Sequence, residues 1–321
     1  MNKLTVSASP HKHCHVTTQK IMLDVLIALV PALIASTIHF GLRALLLAFI
    51  CVLSSVLSEY LSRLIMKRDN TISDLSAAVT GLILALNLPV TLPLWMAVLG
   101  SVIAIVVVKQ FFGGIGHNFA NPAITARIVL MLCFASQMTS WRAPGAFDAD
   151  AVTTASPLAL FSDLQNVDTA GLPSLWQMLL GARAGSMGET CIIALVLGGV
   201  YLVIKKVITP IIPLTFIGTV GICMLFATRF NLTLTAYELL SGGLFLGAIF
   251  MATDYATSPI TPAGQVVFAI GCGLLTSAIR LWGSLPEGVS YSILLMNILT
   301  PHIDNLTRRK PFAPAKKEAK I

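Results

Sequence analysis

The composition of this 321-residue chain excludes an ordinary soluble protein. Hydrophobic residues make up 56% of the chain and charged residues only 11%, whereas soluble domains carry about 25% charged residues. Apolar runs of about twenty residues recur, each long enough to cross the hydrocarbon core of a bilayer as a helix. The same arithmetic excludes a disordered chain and a disulfide scaffold. It also disfavours an outer-membrane barrel, whose strands alternate apolar and polar residues. The sequence therefore predicts an all-α polytopic protein of the lipid bilayer.

Charge and cysteine placement narrow the functional classes further. The net charge is +7, from 21 Lys and Arg against 14 Asp and Glu. Most basic residues lie in short loops and tails, as an orientation signal does, and without a nucleic-acid motif no nucleic-acid partner is expected. The six cysteines form no CxxC pair. The string His11-Lys12-His13-Cys14-His15 lacks a second cluster to complete a coordination sphere, so no metal site is predicted.

Ten candidate membrane-spanning segments follow one another, and a hydrophilic stretch divides them five and five. An odd number of spans in each half gives the second half the opposite orientation, as in inverted-repeat membrane proteins. The predicted organisation is an N-terminal tail 1–20, a first five-helix half 21–139, an extramembrane loop 140–188, an inverted five-helix half 189–306 and a basic tail 307–321. The segments are roughly 21–40, 43–65, 74–88, 92–111, 122–139, 189–207, 210–228, 238–252, 265–282 and 288–304.

The basic residues choose the orientation of these segments. With both termini in the cytoplasm, fifteen Lys and Arg lie in inner segments and five in outer segments, and Arg127 inside the fifth segment completes the 21. Because cytoplasmic loops carry the excess of Lys and Arg, we expect both termini in the cytoplasm and the 140–188 loop on the outer side of the cell membrane.

A glycine-rich stretch between the fourth and fifth segments reads Gly113-Gly-Ile-Gly-His-Asn-Phe-Ala-Asn121-Pro122. Asn121 is a good N-cap and Pro122 suits a first helical turn, so a helix should begin there. Free N–H groups and the positive dipole end of a helix suit an anionic group such as a phosphate or a reduced flavin ring. The alternative is a tight turn whose glycines only permit close helix packing. The candidate contacts to a flavin or to a neighbouring protein of a complex are Gly113, Gly114, Gly116, Asn118 and Asn121.

Charged side chains in or next to apolar segments are the next candidates, because their burial in lipid is costly. Arg127 lies one or two turns into the fifth segment without a local acidic partner, and Asp254 follows the eighth segment among Thr and Ser hydroxyls. We take both as candidates for an ion path or a ligand site, with packing roles as the equal alternative. Glu59 stands four residues before Arg63, a spacing that favours an ion pair along one helix.

The most informative string of the predicted loop is Asp150-Ala-Val-Thr153-Thr154-Ala-Ser156-Pro157-Leu158. Its local chemistry is that of a loop leading into a Pro-initiated helix with Ser156 as N-cap. It also resembles the flavinylation motif, which runs Asp, two residues, Ser or Thr, a small residue, Ala, and a hydroxyl residue that forms a phosphodiester with FMN. That likeness implies Ser156 as the FMN acceptor, with Asp150 positioning the loop or a metal of the attaching enzyme. Thr153 and Thr154 offer competing hydroxyls; the motif usually has Gly at the position of Thr154 and Thr at that of Ser156.

Further strings, taken together, resemble one family over nearly the whole chain. The family contains the RnfD protein of the Rnf complex, a membrane ferredoxin–NAD oxidoreductase, and more distantly the NqrB protein of the Na⁺-translocating NADH–quinone reductase. The strings are Ile21-Met-Leu-Asp-Val-Leu-Ile-Ala-Leu-Val-Pro31, Lys109-Gln-Phe-Phe-Gly-Gly-Ile-Gly-His-Asn-Phe-Ala-Asn-Pro-Ala123, Gln137-Met-Thr-Ser-Trp141, Thr154-Ala-Ser-Pro-Leu158, Leu240-Ser-Gly-Gly243, Met251-Ala-Thr-Asp254 and Asn297-Ile-Leu-Thr-Pro-His-Ile-Asp304.

This resemblance implies a translocase subunit that passes electrons from reduced ferredoxin towards NAD⁺ and couples the transfer to Na⁺ or H⁺ transport. It implies covalent FMN at the outer face and, by analogy, a second, non-covalent riboflavin or FMN in the bundle. Its partners would be the other Rnf subunits, among them flavin and iron–sulfur subunits, and a flavin transferase. We do not expect activity from this chain by itself, since its sequence shows no ferredoxin, NAD or iron–sulfur motif. The alternatives are a secondary transporter of a small polar solute and a purely structural protein of the complex without flavin.

The predicted orientation can be tested by labelling single cysteines in intact cells, on a cysteine-free background. A cysteine at position 165 should react with an impermeant maleimide in intact cells, while one at position 319, in the basic tail, should react only after permeabilisation. The physical reason is the excess of basic residues on the inner side. Labelling of position 165 only after permeabilisation would reverse the assignment.

Overall fold

The computed structural model describes residues 17–145, 173–283 and 287–308. These residues form thirteen α-helices. Two π-helical segments, Ile103–Gln110 and Gly247–Met251, continue α4 and α11. The helices are α1 Thr18–Phe40, α2 Leu42–Ile65, α3 Ser76–Leu86, α4 Leu94–Val102, α5 Pro122–Cys133, α6 Ala135–Met138, α7 Leu175–Leu180, α8 Ile192–Ile204, α9 Ile211–Ala227, α10 Leu232–Leu240, α11 Leu244–Leu246, α12 Pro262–Trp282 and α13 Val289–Thr307.

Each of the ten predicted segments contains a helix, and the prediction of an all-α polytopic membrane protein is confirmed. Within the described ranges, α1, α2 and α12 are long and apolar enough to cross a membrane. A fourth crossing is possible where α10 is followed, after a 62° bend, by the helical stretch Leu244–Met251. This eighth segment begins earlier than the predicted residue 238, because Asn231 caps the helix by accepting from two backbone N–H groups. The bend falls at Ser241-Gly242-Gly243, between the two helical stretches.

The helices pack through small residues, as membrane helices commonly do. A Cβ on Gly81 of α3 would come within 2.7 Å of the Cys51 carbonyl oxygen of α2. Likewise, a Cβ on Gly273 of α12 would come within 2.6 Å of the Thr219 side chain of α9. These close approaches let the backbones meet without large side chains between them. The helix pairs α2–α3 and α9–α12 therefore form close contacts in their respective halves.

The helix bundle has two distinct ends. One, here called the turn end, carries residues 111–120 and 252–261; there Thr261 of the second turn meets Thr307 of α13 through their hydroxyls at 2.7 Å. The other, here called the loop end, carries residues 140–145 and α7. At the loop end the His39 carbonyl accepts from Gly145 N at 2.9 Å, and His39 Nε2 lies 3.0 Å from the Leu180 carbonyl. The first described residues, α13's last turn and the glycine-rich turn thus share one end.

The chain that returns from the predicted loop enters the protein interior. Residues 181–190, here called the return segment, contain buried Met187 and Thr190. Gly188 N donates to the Leu86 carbonyl at 2.7 Å, and Met187 N donates to the Leu88 carbonyl at 3.2 Å. The return segment therefore satisfies backbone carbonyls at the end of α3 that would otherwise lack partners.

Candidate functional site

A cavity at the turn end brings together four of the residues that the sequence singled out. Gly116, Asn118, Asn121 and Asp254 all line it. Its remaining walls come from α1, α3, the end of α8 and Phe250. The cavity is open on one side, and its empty space measures about 800 Å³ when the open mouth is included.

Three glycines give the turn its shape. Gly113, Gly114 and Gly116 have φ angles of 123°, 105° and 83°, a region that L residues with a Cβ adopt only under strain. Gly114 also lies against the Arg63 guanidinium, where a Cβ would collide. Gly116 has open space around it and lines the cavity directly. The glycines therefore serve backbone conformation at all three positions and close packing at Gly114.

Asn121 and Asn118 supply polar atoms of different kinds to the cavity. Asn121 caps α5 as predicted, since its Oδ1 accepts from Ala123 N at 3.0 Å and Ile124 N at 3.3 Å. Its Nδ2 donates to the Met251 carbonyl at 3.2 Å, which joins the two halves. Asn118 Oδ1 is buried and has no hydrogen-bond partner among the described residues. A buried polar atom without a partner is costly, so this oxygen is a natural contact for a bound ligand.

Lys109, one partner of a buried ion pair, lines the cavity. Lys109 Nζ donates to the two carboxylate oxygens of Glu59 at 3.0 and 3.2 Å and to Ser76 Oγ at 2.5 Å. The side chains of Lys109 and Glu59 are 3% and 0% exposed. Gln110 Nε2 donates to the same carboxylate at 2.7 Å. Lys109 thus holds a positive charge beside the cavity with its geometry fixed by three oxygens.

The expected Glu59–Arg63 pair along α2 is wrong. Glu59 bonds Lys109, while Arg63 Nη1 donates to the Asp69 carbonyl at 3.1 Å. The sequence did contain a signal for this pair, because Lys109 lies inside the apolar run 92–111. The count of basic residues used Lys109 only to predict the orientation of the chain. An intramembrane lysine generally has a carboxylate partner or a functional role.

Asp254 closes the opposite side of the cavity. Its carboxylate accepts from Thr257 Oγ1 at 3.2 Å and from Ala256 N at 3.5 Å. Asp254 lies in the turn after the π-helical segment, where burial raises the pKa of its carboxyl. The two hydrogen bonds and then the charge of Lys109 oppose that rise. A lysine ammonium and an aspartate carboxyl therefore line one cavity from different halves.

Arg127 does not line the cavity but lies in a second polar cluster towards the loop end. Its Nη1 donates to Asn87 Oδ1 at 3.1 Å and to Ser290 Oγ at 3.0 Å. Its Nη2 donates to Glu189 Oε1 at 3.5 Å and to Glu287 Oε2. The structure therefore supplies the acidic partners that the local sequence lacked, and it supplies them from the second half.

Two further arginines complete this cluster. Arg183 donates to the carbonyls of Leu240 and Glu189, and Arg280 pairs with Glu238 at 3.4 Å and donates to the Ser241 carbonyl. The carbonyl groups at the bend after α10 are thereby satisfied by guanidinium groups. Sequence analysis missed Glu189 and Glu287 because each stands at a helix boundary, where a charged residue is commonplace.

The predicted FMN acceptor Ser156 and its neighbours Asp150, Thr153 and Thr154 lie outside the described residues. The structure gives the positions of the segments on either side of them. Gly145 and Leu180, on the two sides, both contact His39. Ser156 therefore stays a sequence-based prediction, on a stretch of chain that leaves and re-enters the described fold at the loop end.

The fold and these sites define a class: a polytopic helical membrane protein with an open cavity at one end and a buried ionic cluster near the other. The chain belongs to the NQR2, RnfD, RnfE family, whose model matches residues 5–313.

Named relatives cover the whole chain. It is 46% identical to the D subunit of the Na⁺-translocating ferredoxin:NAD⁺ oxidoreductase complex of Acetobacterium woodii, over 99% of this chain and 98% of the relative. It is 43% identical to the D subunit of the proton-translocating ferredoxin:NAD⁺ oxidoreductase complex of Clostridium ljungdahlii, over 97% and 96%. It is 33% identical to the D subunit of the ion-translocating oxidoreductase complex of Escherichia coli, over 97% and 99%.

Removing the Arg127 charge should destabilise the protein strongly. Arg127→Gln leaves the carboxylates of Glu189 and Glu287 without their shared cation, which typically costs about 3–5 kcal/mol in a buried site. We expect a clear loss of thermal stability in the purified chain. The matched control is Arg229→Gln, because Arg229 is exposed.

The double variant Arg127→Gln/Glu287→Gln should recover part of that loss, since it removes one unpaired carboxylate together with the cation. Equal stability for Arg127→Gln and Arg229→Gln would mean that the cluster contributes no more than a surface charge.

Proposed function

We propose that this chain is the D subunit, embedded in the membrane, of an ion-translocating ferredoxin:NAD⁺ oxidoreductase complex of the Rnf type. The observation that carries the proposal is identity of 46% and 43%, over almost the full length, to two proteins whose names state that role. The other proteins of the complex would be its partners, and a flavin transferase would mature it. The complex would lie in the cell membrane, with the turn end of this chain in the cytoplasm.

We further propose that Ser156 carries FMN through a phosphodiester bond at the outer face. The supporting features are the Asp150-to-Ser156 string and the position of its flanking segments at the loop end, opposite the first described residues. Pro157 follows directly, so Ser156 would be an N-cap whose hydroxyl points out of the helix. First-turn N–H groups there would help accommodate a phosphate.

The turn-end cavity suits a second, non-covalent flavin. Its walls combine apolar side chains with a few polar groups, which is the usual composition of a small-molecule site. Asn118 Oδ1 has no partner in the described part of the chain, and the positive start of α5 and the Lys109 ammonium lie on the same cavity. The residues present therefore fit an aromatic ring system that gains negative charge on reduction.

Each of these residues has a task that its geometry supports. A bound flavin would supply one- and two-electron redox chemistry. Lys109, held by Glu59 and Ser76, would favour the reduced anionic form by charge, and Asn118 would orient the ring by a hydrogen bond. The apolar side chains of α1, α3 and Phe250 would exclude water. Asp254 would balance the positive charge from the opposite wall.

Ion coupling is assigned to Asp254 rather than to Arg127. Asp254 lies on an open cavity, whereas Arg127 is permanently charged and bonded to four acceptors. The name of one relative specifies Na⁺ and that of the other specifies protons, so sequence identity alone does not select the coupling ion.

The alternative function is a secondary transporter. The bent eighth segment supports it, because interrupted helices are common in secondary transporters. A transporter, however, predicts a chain without covalent flavin.

Replacing the acceptor hydroxyl is the decisive test of the covalent site. Ser156→Ala, coexpressed with a flavin transferase, should lose the FMN mass from the intact denatured chain and its in-gel fluorescence. Ser156→Thr should keep both, because it retains the hydroxyl. Thr154→Ala is the matched control.

If Ser156→Ala remains fluorescent and Thr154→Ala does not, the acceptor is Thr154. A wild-type chain without covalent flavin in the presence of the transferase would remove the main support for the electron-carrier function and favour the transporter.

The cavity assignment can be tested by straining its wall. Gly116→Val places a β-branched residue at a φ of 83°, which costs about 1–2 kcal/mol. The turn should shift to relieve this strain, and retention of non-covalent flavin in the purified complex should fall roughly 5- to 30-fold. Gly145→Val is the matched control, because Gly145 has a φ of 80° and equally open surroundings at the opposite end.

Asn118→Leu separates ligand contact from folding. The substitution removes Asn118 Oδ1, a buried oxygen without a partner among the described residues. The thermal stability of the flavin-free chain should therefore not fall. Flavin retention should fall about tenfold, as expected for the loss of one hydrogen bond of about 1.4 kcal/mol. Unchanged retention in both variants would place the non-covalent flavin elsewhere.

A further inference from the structure

Two glutamates converge on a single nitrogen of Arg127. Glu189 Oε1 lies 3.5 Å from Arg127 Nη2, and Glu287 Oε2 accepts from the same nitrogen. The other terminal nitrogen is committed to Asn87 and Ser290. Only 4% of the Glu189 side chain and 14% of the Glu287 side chain are exposed. Two largely buried carboxylates thus share one positive partner.

Among the described residues, Arg127 is the one basic side chain that pairs directly with Glu189 and Glu287. Arg280 of α12 pairs with Glu238 of α10 and acts on Glu287 only through its charge, and the Arg183 nitrogens donate to backbone carbonyls. Tyr291 of α13 also faces the cluster, and its hydroxyl has no partner within the described ranges. Like charges this close in a buried site disfavour ionisation of both carboxyl groups.

We propose that Glu189 and Glu287 hold one exchangeable proton between them, at the boundary between the two halves. The proton resides on a Glu287 oxygen, from which it is donated to the Glu189 carboxylate. It is taken from water and released to water, and no other bond forms or breaks. Glu287 is the exchanging partner because it is the more exposed of the two.

The electrostatic balance places this exchange near neutral pH. Glu287 belongs to the turn before α13, where burial raises the pKa of its carboxyl to about 7. The charges of Arg127 and Arg280 oppose the rise, and the nearby Glu189 adds to it. Because this pKa lies above that of an exposed glutamate, the folded state takes up the proton more readily than the unfolded state. The stabilisation is complete below the unfolded pKa and is lost as pH rises through about 7.

This assignment is independent of the flavin sites, because it uses only groups described at the loop end. Protonation leaves Arg127 balanced by one carboxylate. Deprotonation adds a second buried negative charge where α5, the return segment and the start of α13 meet. The contact between the halves is therefore tighter at lower pH within this window.

The test is a pH titration of the intact complex in bilayers, followed by infrared spectroscopy of protonated carboxyl groups. The wild type should lose one carboxyl band with a midpoint near 7, and Glu287→Gln should lack that transition. Asp69→Asn, at an exposed carboxylate, should retain it. Thermal stability should fall across the same window in the wild type and be flat in Glu287→Gln, whose amide replaces the protonated form.

Glu189→Gln tests the sharing itself. Without the Glu189 charge, Glu287 faces Arg127 alone, and its midpoint should fall by at least about one pH unit, a tenfold loss of proton affinity. Identical titrations of the wild type and Glu287→Gln would overturn the proposal. A transition in Glu189→Gln at the wild-type midpoint would show that the two carboxyl groups do not share a proton.

Discussion

A permanently charged guanidinium in the interior of a membrane protein must be satisfied by protein groups, and Arg127 sets this constraint on the fold. Its four acceptors come from the end of α3, the return segment, the turn before α13 and α13 itself. Removing any of these elements would leave a charge buried with less compensation, at a cost of several kcal/mol. Arg127 thus helps to fix the relative positions of the two halves, together with the Asn121–Met251 hydrogen bond.

The ionic cluster and the turn-end cavity are linked by direct contacts. Asn87 accepts from Arg127 and donates to Met251 Sδ at 3.2 Å, while Asn121 donates to the Met251 carbonyl at 3.2 Å. Met251 ends the π-helical segment, and Asp254 follows three residues later. The backbone that presents Asp254 to the cavity is therefore held by two asparagines of the first half, one of which bonds Arg127. The cavity wall and the ionic cluster share a rigid support.

Local features could be predicted from the sequence, and distant partnerships could not. The cap of α5 depends on Asn121 and Pro122, which are neighbours in the chain, and it is confirmed. The free N–H groups expected beside it are not found, because Asn121 accepts from the N–H groups of Ala123, Ile124 and Thr125. The acidic partners of Arg127 lie 62 and 160 residues away, and the partner of Glu59 lies 50 residues away. Such pairs follow from topology, which a single sequence does not encode in any local pattern. The i,i+4 spacing predicted Arg63 as the partner of Glu59. The structure pairs Glu59 with Lys109 instead, because a buried ammonium group requires a carboxylate partner more than Arg63 does.

The two polar regions differ in a way that bears on their roles. The turn-end cavity is lined by the exposed Gly116, the half-buried Asp254 carboxyl and the buried Asn118 oxygen, which has no partner among the described residues. It therefore presents polar groups that can still form hydrogen bonds and that a ligand can reach from solvent. The Arg127 side chain is 7% exposed, and both terminal nitrogens of its guanidinium are bonded. A ligand entering there would have to displace existing ionic contacts, whereas a ligand at the turn end would satisfy an orphaned atom. These differences favour the turn end as the site of the proposed ligand, and the loop-end cluster is the site of the proposed proton exchange.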